Sequence, residues 1–447
     1  LVTYRLLDPG SEWRLYRHWF EHSAMADLLG ADQELAEIHK LYECHERLLE
    51  HKRELFTHLT GRWKDLFNAQ FEVLLYDLTS TYFESDPPFP EEDKRRYGYS
   101  RDKRSDCVQV VIALIVTPEG FPLAYEVLSG NTSDKATLAG FLQKIQDQYG
   151  KAQRVCVMDR GIPTEKVLEQ MRASDPPVQY LVGTPRGRLS QYEQKLLELP
   201  WQIVREGVSV KLLSEDSELY VLAQSRDRVH KERAMRRRQL KGLWQRLKKL
   251  QAMKLKRDAL LKKLGAALHT YPVAARLLDP TVLPKEAKLT FTLCKDKLRQ
   301  ARKREGRYLL RTNITSGRTA EELWQFYIQL TEVEAAFKNL KDDLALRPIY
   351  HQLEHRIEAH IFLSFLAYCL HITRRRRLRD LAPGLTARSV LEKFATVQML
   401  DVHLPTTDER TVILSRYTHP ETDVQLLLQQ LKLELPAQPP PKIIRPK

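Results

Sequence analysis

Between Val108 and Thr117 eight of ten residues are apolar, with only Gln109 and Thr117 interrupting the run. A segment so short and so apolar has no face to give to water, so it must be an interior strand of a covered sheet. Pro118-Glu119-Gly120 then supplies a turn into Phe121–Leu128, which predicts a hairpin. Phe71–Leu78 is a second strand-like run, Arg154–Met158 a short buried strand and Val178–Val182 another. Lys135–Gln148 and Thr164–Arg172 carry helical periodicity between them. Strand, hairpin, helix, strand, helix, strand is an α/β order, and it predicts a mixed sheet flanked by helices.

Outside this core the period changes. Residues 1–66 place Leu28, Leu29, Leu35, Ile38, Leu41, Leu48 and Leu49 at helical spacing, and form a helical N-terminal region. The first part of the core is expected at 67–183 and its second part, with C-terminal helices, at 313–425. Residues 184–312 fall between them as an inserted β-rich domain, with strand-like alternation at 201–224 and 287–311 and a basic helix at 228–264. In that helix Leu240, Leu243, Leu247, Leu250, Leu261 and Leu264 predict a short coiled coil or a helical hairpin. Residues 426–447 read as a tail whose Pro-rich, basic end from Pro436 is expected to be disordered. The chain opens on Leu1, and a truncated or processed N-terminus is the expected reason.

Charge separates the function classes. The formal net charge is +14, and Arg228–Lys263 holds 15 Lys or Arg against Glu232 and Asp258. Nearly the whole imbalance therefore sits in one segment, either the footprint of a polyanion binder or a solvated helical face. The longest apolar run, Ile361–Leu370, is too short to cross a bilayer, so no membrane partner is expected, and without a signal pattern the reading is cytoplasmic. Five cysteines without Cys-x-x-Cys spacing point away from a disulfide framework or a zinc ribbon.

Three carboxylates stand out. Asp77 interrupts the apolar strand Leu74–Leu78, and Asp159 follows Val155-Cys156-Val157-Met158 at a strand's carboxyl end. Ligands of open α/β sheets collect at such ends, although an aspartate there caps a turn or helix more often than it binds metal. In Tyr327–Leu344, read as one helix, Tyr327, Glu334, Lys338 and Lys341 share a face. One acid among cations suits a metal ligand beside phosphate contacts, and it also suits plain intrahelical pairing. Carboxylates from separate elements match hard divalent cations working as a pair on a phosphodiester.

The motifs are more specific than the spacing. Tyr76–Glu84, Gly98-Tyr99-Ser100-Arg101-Asp102, Gly130-Asn131-Thr132-Ser133-Asp134 and Asp159-Arg160-Gly161 together resemble the catalytic blocks of bacterial insertion-sequence DDE transposases. Tyr327, Glu334 and Lys341 fit the branch with a Tyr-x2-Arg-x3-Glu-x6-Lys signature, with Leu330 standing at its Arg position. The resemblance covers about residues 5–425. It implies an RNase H-like fold interrupted by the β-rich insertion, with Asp77, Asp159 and Glu334 as catalytic metal ligands. It implies two Mg²⁺ ions, with Mn²⁺ as a substitute, and cleavage of transposon ends followed by transfer of 3′-OH strands to target DNA. The expected partners are terminal-repeat and target DNA and a second copy of the chain, in a bacterial nucleoid. DNA contacts are expected from Tyr327, Lys338, Lys341, Arg160, Arg237, Lys241 and Lys248, and Lys338 or Arg347 could substitute for the missing signature Arg. Trp201 or Trp244 could stack on an extruded base.

One motif points elsewhere. His351-Gln352-Leu353-Glu354-His355 fits a zinc-peptidase pattern with two ligands on one helix face, but no third ligand is evident. Arg374–Arg377 is a candidate nucleic-acid patch or a solvated helix end. A metal-dependent nuclease without strand transfer and a DNA-binding protein that no longer transposes are the rival readings.

Overall fold

The computed structural model describes the chain except residues 32, 86–88, 133–137, 150–153, 161–162, 216, 284–286 and 445–447. It divides into two compact units, one of Leu1–Met158, Ile162–Val178 and Gln329–Lys447, the other of Asp159–Gly161 and Gln179–Ile328.

The first unit is built on β1 (Val73–Phe83), β2 (Val108–Val116), β3 (Pro122–Ser129) and β4 (Val155–Met158), in the order β3-β2-β1-β4. β1 runs antiparallel to β2 and parallel to β4, as an RNase H-like mixed sheet requires. Every residue of β2 is buried, Gln109 included, in keeping with its near-continuous apolar run. Thr117 N–H bonds Phe121 O at 2.9 Å, and Gly120 takes φ +90°, a left-handed turn that glycine adopts without strain. Helix Leu330–Lys338 packs on β1 and β2 through Leu330, Val333, Ala336 and Phe337. Helix Lys52–Phe67 and the long helix Glu354–Leu381 add an aromatic cluster in which Phe56, Tyr125 and Phe365 pack with centroids 4.5–6.1 Å apart.

The second unit carries β5 (Gln179–Gly183), β6 (Gln202–Arg205), β7 (Val208–Glu215), β8 (Glu218–Ser225) and β11 (Arg307–Thr312), antiparallel throughout in the order β5-β11-β8-β7-β6. Between β8 and β11 the basic segment is a helical hairpin, Arg226–Ala252 and Arg257–Thr270, resting on the two-stranded ribbon of β9 (Leu278–Val282) and β10 (Leu289–Leu293). Leu243, Leu247 and Leu250 pack there against Leu260, Leu264 and Leu289.

Several expectations change. The insertion expected to be β-rich also holds helix Arg186–Glu198, and Lys295–Lys303 is helical inside the stretch read as strand-like. The C-terminal region is not helical throughout, because Met399–Pro405 and Thr411–Tyr417 pair antiparallel. Lys442–Ile444, in the tail expected to be disordered, adds a third strand beside Thr411–Ile413. Isolated short strands carry little periodicity, so only their partners define them. Lys135–Thr137, the predicted start of the helix observed at Leu138–Tyr149, lies outside the described residues, as do residues 445–447.

Leu247 is fully buried in the hairpin. Leu247→Ala is expected to cost about 3 kcal/mol. Hydrogen exchange should show faster amide exchange across the two hairpin helices while β1–β4 keep their protection.

Candidate active site

Asp77 and Tyr82 are the two residues of β1 that are not fully buried. A carboxylate in such a strand is costly unless it is paired, bonded or metal-bound. Asp77 Oδ1 accepts the Leu78 N–H at 2.8 Å and lies 3.8 Å from Arg101 Nη1.

Close backbone packing brings Arg101 there. A Cβ on Gly98 would stand 2.1 Å from the Gly130 carbonyl oxygen, and one on Gly130 would stand 1.9 Å from that of Gln109. The Gln109 side-chain amide donates to Tyr99 O at 3.1 Å and Gly130 O at 2.8 Å, and Ser80 Oγ accepts the Arg101 N–H at 3.3 Å. Two sequence motifs are thus one piece of packing, and it needs both glycines. The same loop holds Asp102 against Lys341 Nζ at 3.1 Å and Arg347 Nη1 at 2.8 Å. Burial lowers the Lys341 pKa, and the Asp102 carboxylate opposes part of that shift.

Glu334 and Lys338 are exposed on helix Leu330–Lys338, whose opposite face packs on β1 and β2. Leu330, at the signature's Arg position, belongs to the buried face, so no cation can reach out from it. The expected single helix from Tyr327 to Leu344 is broken. It stops at Ile328, resumes at Leu330 and becomes a π turn at Asn339–Asp343, closed by Leu344 N–H to Asn339 O at 2.9 Å. The wider turn shifts the helical phase. The Lys341 side chain is accordingly 9% exposed and tied to Asp102, rather than lying in a surface stripe with Glu334 and Lys338.

In the second unit Asp159 is exposed, and its Oδ1 accepts the Tyr327 hydroxyl at 3.1 Å. Burial raises the Tyr327 pKa, and the Asp159 charge and hydrogen bond push it further, so the phenol keeps its proton and stays a donor. Tyr327 stacks on Tyr308 with centroids 5.8 Å apart, Tyr308 Oη accepts from Trp324 Nε1 at 2.7 Å, and the Arg228 guanidinium lies 4.9 Å over the Tyr308 ring. Gly183 leaves the necessary room, since a Cβ there would meet Tyr327 Oη at 2.8 Å and Asp159 Oδ1 at 3.4 Å. Asp159, Arg160, Gly183, Arg228, Tyr308 and Tyr327 line a cavity of about 210 Å³. A fixed carboxylate beside two guanidinium groups can hold a cation and the phosphate that it neutralises.

A model of the family described as Transposase DDE domain matches residues 69–370. The chain belongs to this family. It is a DDE transposase, an enzyme that cleaves DNA and transfers strands, and its family acts with divalent metal ions. The matched region begins just before β1, ends within helix Glu354–Leu381, and contains Asp77, Asp159, Glu334 and the whole of 184–312. No curated protein matches the sequence. Among solved structures, a piggyBac transposase in a synaptic complex with hairpin DNA aligns over 88% of this chain and 67% of its own, at 9% identity and a TM-score of 0.37. Among the described residues no helix is long and apolar enough to cross a membrane.

The predicted residues of the transposase differ in their surroundings. Arg237, Lys241 and Lys248 are exposed along the basic helix, but its first-turn Arg228, which sequence pattern alone does not single out, is the one lining the Asp159 cavity. Arg233 and Arg236 of the same helix are ion-paired to buried Glu305 and hold structure together. Arg101 and Asp102 belong to a recognisable motif, yet only folding reveals what they touch. Trp201 lies under Lys211 and Arg307, and Trp244 meets Phe291 edge-on at 4.9 Å. Arg375 binds Glu332 at 2.7 Å and Arg377 the Leu431 carbonyl at 3.1 Å, so part of that basic run serves the fold. His351 precedes helix Glu354–Leu381 while His355 lies in it, exposed and 3.3 Å from Glu46, so the two do not form the peptidase pair. Gly161, Ser133 and Asp134 lie outside the described residues.

Tyr327→Phe removes one hydrogen bond to an exposed carboxylate and should cost about 1 kcal/mol of stability or less. Gly183→Ala drives a methyl into the Tyr327 hydroxyl and should lower DNA-end cleavage more than Tyr327→Phe does. Melting curves and cleavage rates on one end duplex, compared across both variants, check the order.

Proposed function

We propose that this transposase uses Asp77, Asp159 and Glu334 as a catalytic triad that holds two divalent ions, cleaves the ends of its element and joins the 3′-OH strands to target DNA. The observation that carries the reading is the register of β1 on β4. Tyr76 pairs with Met158 in parallel, and the next residue on each chain segment is an aspartate, Asp77 and Asp159. Adjacent parallel strands that both lead into acids are where an α/β sheet gathers ligands. Glu334 is on the helix that packs over β1.

The donor set fits the family's metal requirement. Three carboxylates offer only hard oxygen ligands, which suit Mg²⁺ and accept Mn²⁺. Bound ions of this kind would activate the attacking oxygen and stabilise the leaving one in an in-line displacement. The chain's own groups do the rest. Tyr327 orients the Asp159 carboxylate through its hydroxyl, while Arg160 and Arg228 hold phosphate beside it. Lys338 contacts the strand near Glu334, and Arg237, Lys241 and Lys248 track the duplex backbone. Lys341 acts indirectly, by fixing Asp102 and the loop that presents Arg101 to Asp77. Joining two ends at one target calls for two active sites, so the working form is a homodimer on terminal-repeat DNA.

Asp159→Ala should cut cleavage of an end duplex in Mg²⁺ about a thousandfold, roughly 4 kcal/mol of transition-state stabilisation, with duplex binding retained. Equal cleavage by both proteins would sink the triad, and cleavage by the parent without joining would leave a nuclease. Binding without cleavage by either would mark a chain that no longer transposes. Separately, Lys241→Gln and Lys248→Gln should each lower the slope of log affinity against log salt by about one unit, read by duplex titration at several salt concentrations.

A further inference from the structure

Away from these acids, three histidines and one glutamate converge in the core of the first unit. Glu12 begins the short helix Glu12–Arg14 and is 6% exposed. His45 Nε2, from helix Ile38–Glu50, lies 3.4 Å from Glu12 Oε1, and His351 Nε2 lies 3.8 Å from Oε2. His360 Nδ1, from helix Glu354–Leu381, lies 4.0 Å from Oε1. One ligand atom from each of Glu12, His45 and His351 falls within 4.8 Å of the others.

The ring nitrogens carry the argument. His360 Nε2 lies 3.2 Å from the Leu346 carbonyl oxygen, which can only accept, so Nε2 carries the proton and Nδ1 keeps its lone pair. That Nδ1 and His45 Nδ1 are buried and meet no hydrogen-bond partner among the described residues, while His45 Nε2 faces only the Glu12 carboxylate. Buried polar atoms left so cost about 1–3 kcal/mol each, and two of them beside one carboxylate call for a ligand. An ordinary buried ion pair accounts for part of the cluster, since Arg5 Nη2 lies 3.4 Å from Glu12 Oε1 and Nη1 donates to Ala345 O at 3.3 Å. It satisfies the carboxylate, and leaves His45 Nδ1 and His360 Nδ1 unexplained.

We propose that Glu12, His45 and His351, with His360 as fourth ligand, form a structural site for Zn²⁺. Imidazole nitrogens with one carboxylate are a borderline donor set that selects Zn²⁺ over Mg²⁺. The His360 bond to a backbone carbonyl is the outer-shell contact that fixes a ligating ring, and Arg5 on Glu12 serves the carboxylate alike. The site ties two N-terminal helical segments outside the matched family domain to the segments beyond the Glu334 helix. It shares no residue with the proposed triad.

The test uses the full chain with Asp77→Asn and Asp159→Asn, so that the carboxylate site does not count. After chelation, the protein is equilibrated with Zn²⁺ in excess Mg²⁺, desalted and assayed for zinc by mass spectrometry. Near-stoichiometric zinc, a higher melting temperature and, with Co²⁺ instead, four-coordinate visible absorption are expected. His45→Gln and His351→Gln should weaken binding by about a hundredfold or more, at least what outer-shell losses reach. No retained zinc, or equal affinity in folded variants, overturns the proposal. If the variants do not fold, zinc-edge X-ray absorption on the chain with intact histidines decides. A shell with several imidazoles supports the site, and an oxygen-only shell overturns it.

Discussion

Four residues of β1 lie beside four of β4 in parallel register, Val73 to Tyr76 against Val155 to Met158, and all eight are buried. A parallel pair cannot be closed by a tight turn and is stable only when covered on both faces. Burial also fixes the register, because a slip of one residue would turn each apolar side chain toward the wrong face. The pairing ends just before an acid on each segment, at the half-buried Asp77 within β1 and at the exposed Asp159 after β4. The helix bearing Glu334 is held by the same apolar surface, since its buried face packs on β1 and β2.

Around each aspartate the fold uses glycine and hydrogen bonds for orientation. Gly98 and Gly130 let two loops approach closely enough for Gln109 to bond both, and Arg101 and Asp102 are positioned as a result. Gly183 allows the Tyr327 hydroxyl to sit against Asp159, and the Tyr308–Tyr327 stack holds that hydroxyl in place. Both arrangements are intolerant of a single added methyl group. They restrain the aspartates while Asp159, like Glu334, stays exposed to solvent.

The basic hairpin divides its charges between structure and surface. Its leucines close a small core of their own, Arg233 and Arg236 neutralise Glu305, and Arg228 reaches the Asp159 cavity. The remaining cations, Arg237, Lys241 and Lys248 among them, are exposed along the helix. A charge count over the segment treats all these residues alike, although their environments differ from buried ion pair to open solvent.

Strand period, the apolar run of β2, the hairpin turn, Asp77 inside an apolar strand and Asp159 at a strand's end were all legible in the sequence, because each depends on residues close in the chain. So were the α/β order and, through its motifs, the family. Other features were not legible. The break at Gln329 and the π turn at Asn339–Asp343 leave no periodic trace, yet they decide that Lys341 binds Asp102. The strand at Lys442–Ile444 exists only through its partner. Arg228 was one cation among fifteen until folding laid it over Tyr308. His351 looked like half of a helical zinc motif, and the structure gives it Glu12 and His45, residues more than 300 positions away, instead of His355. Local chemistry and periodicity are properties of neighbours in the chain, so the sequence by itself determined elements and candidate acids. Which side chains meet depends on contacts between distant segments, and that only the tertiary structure decided.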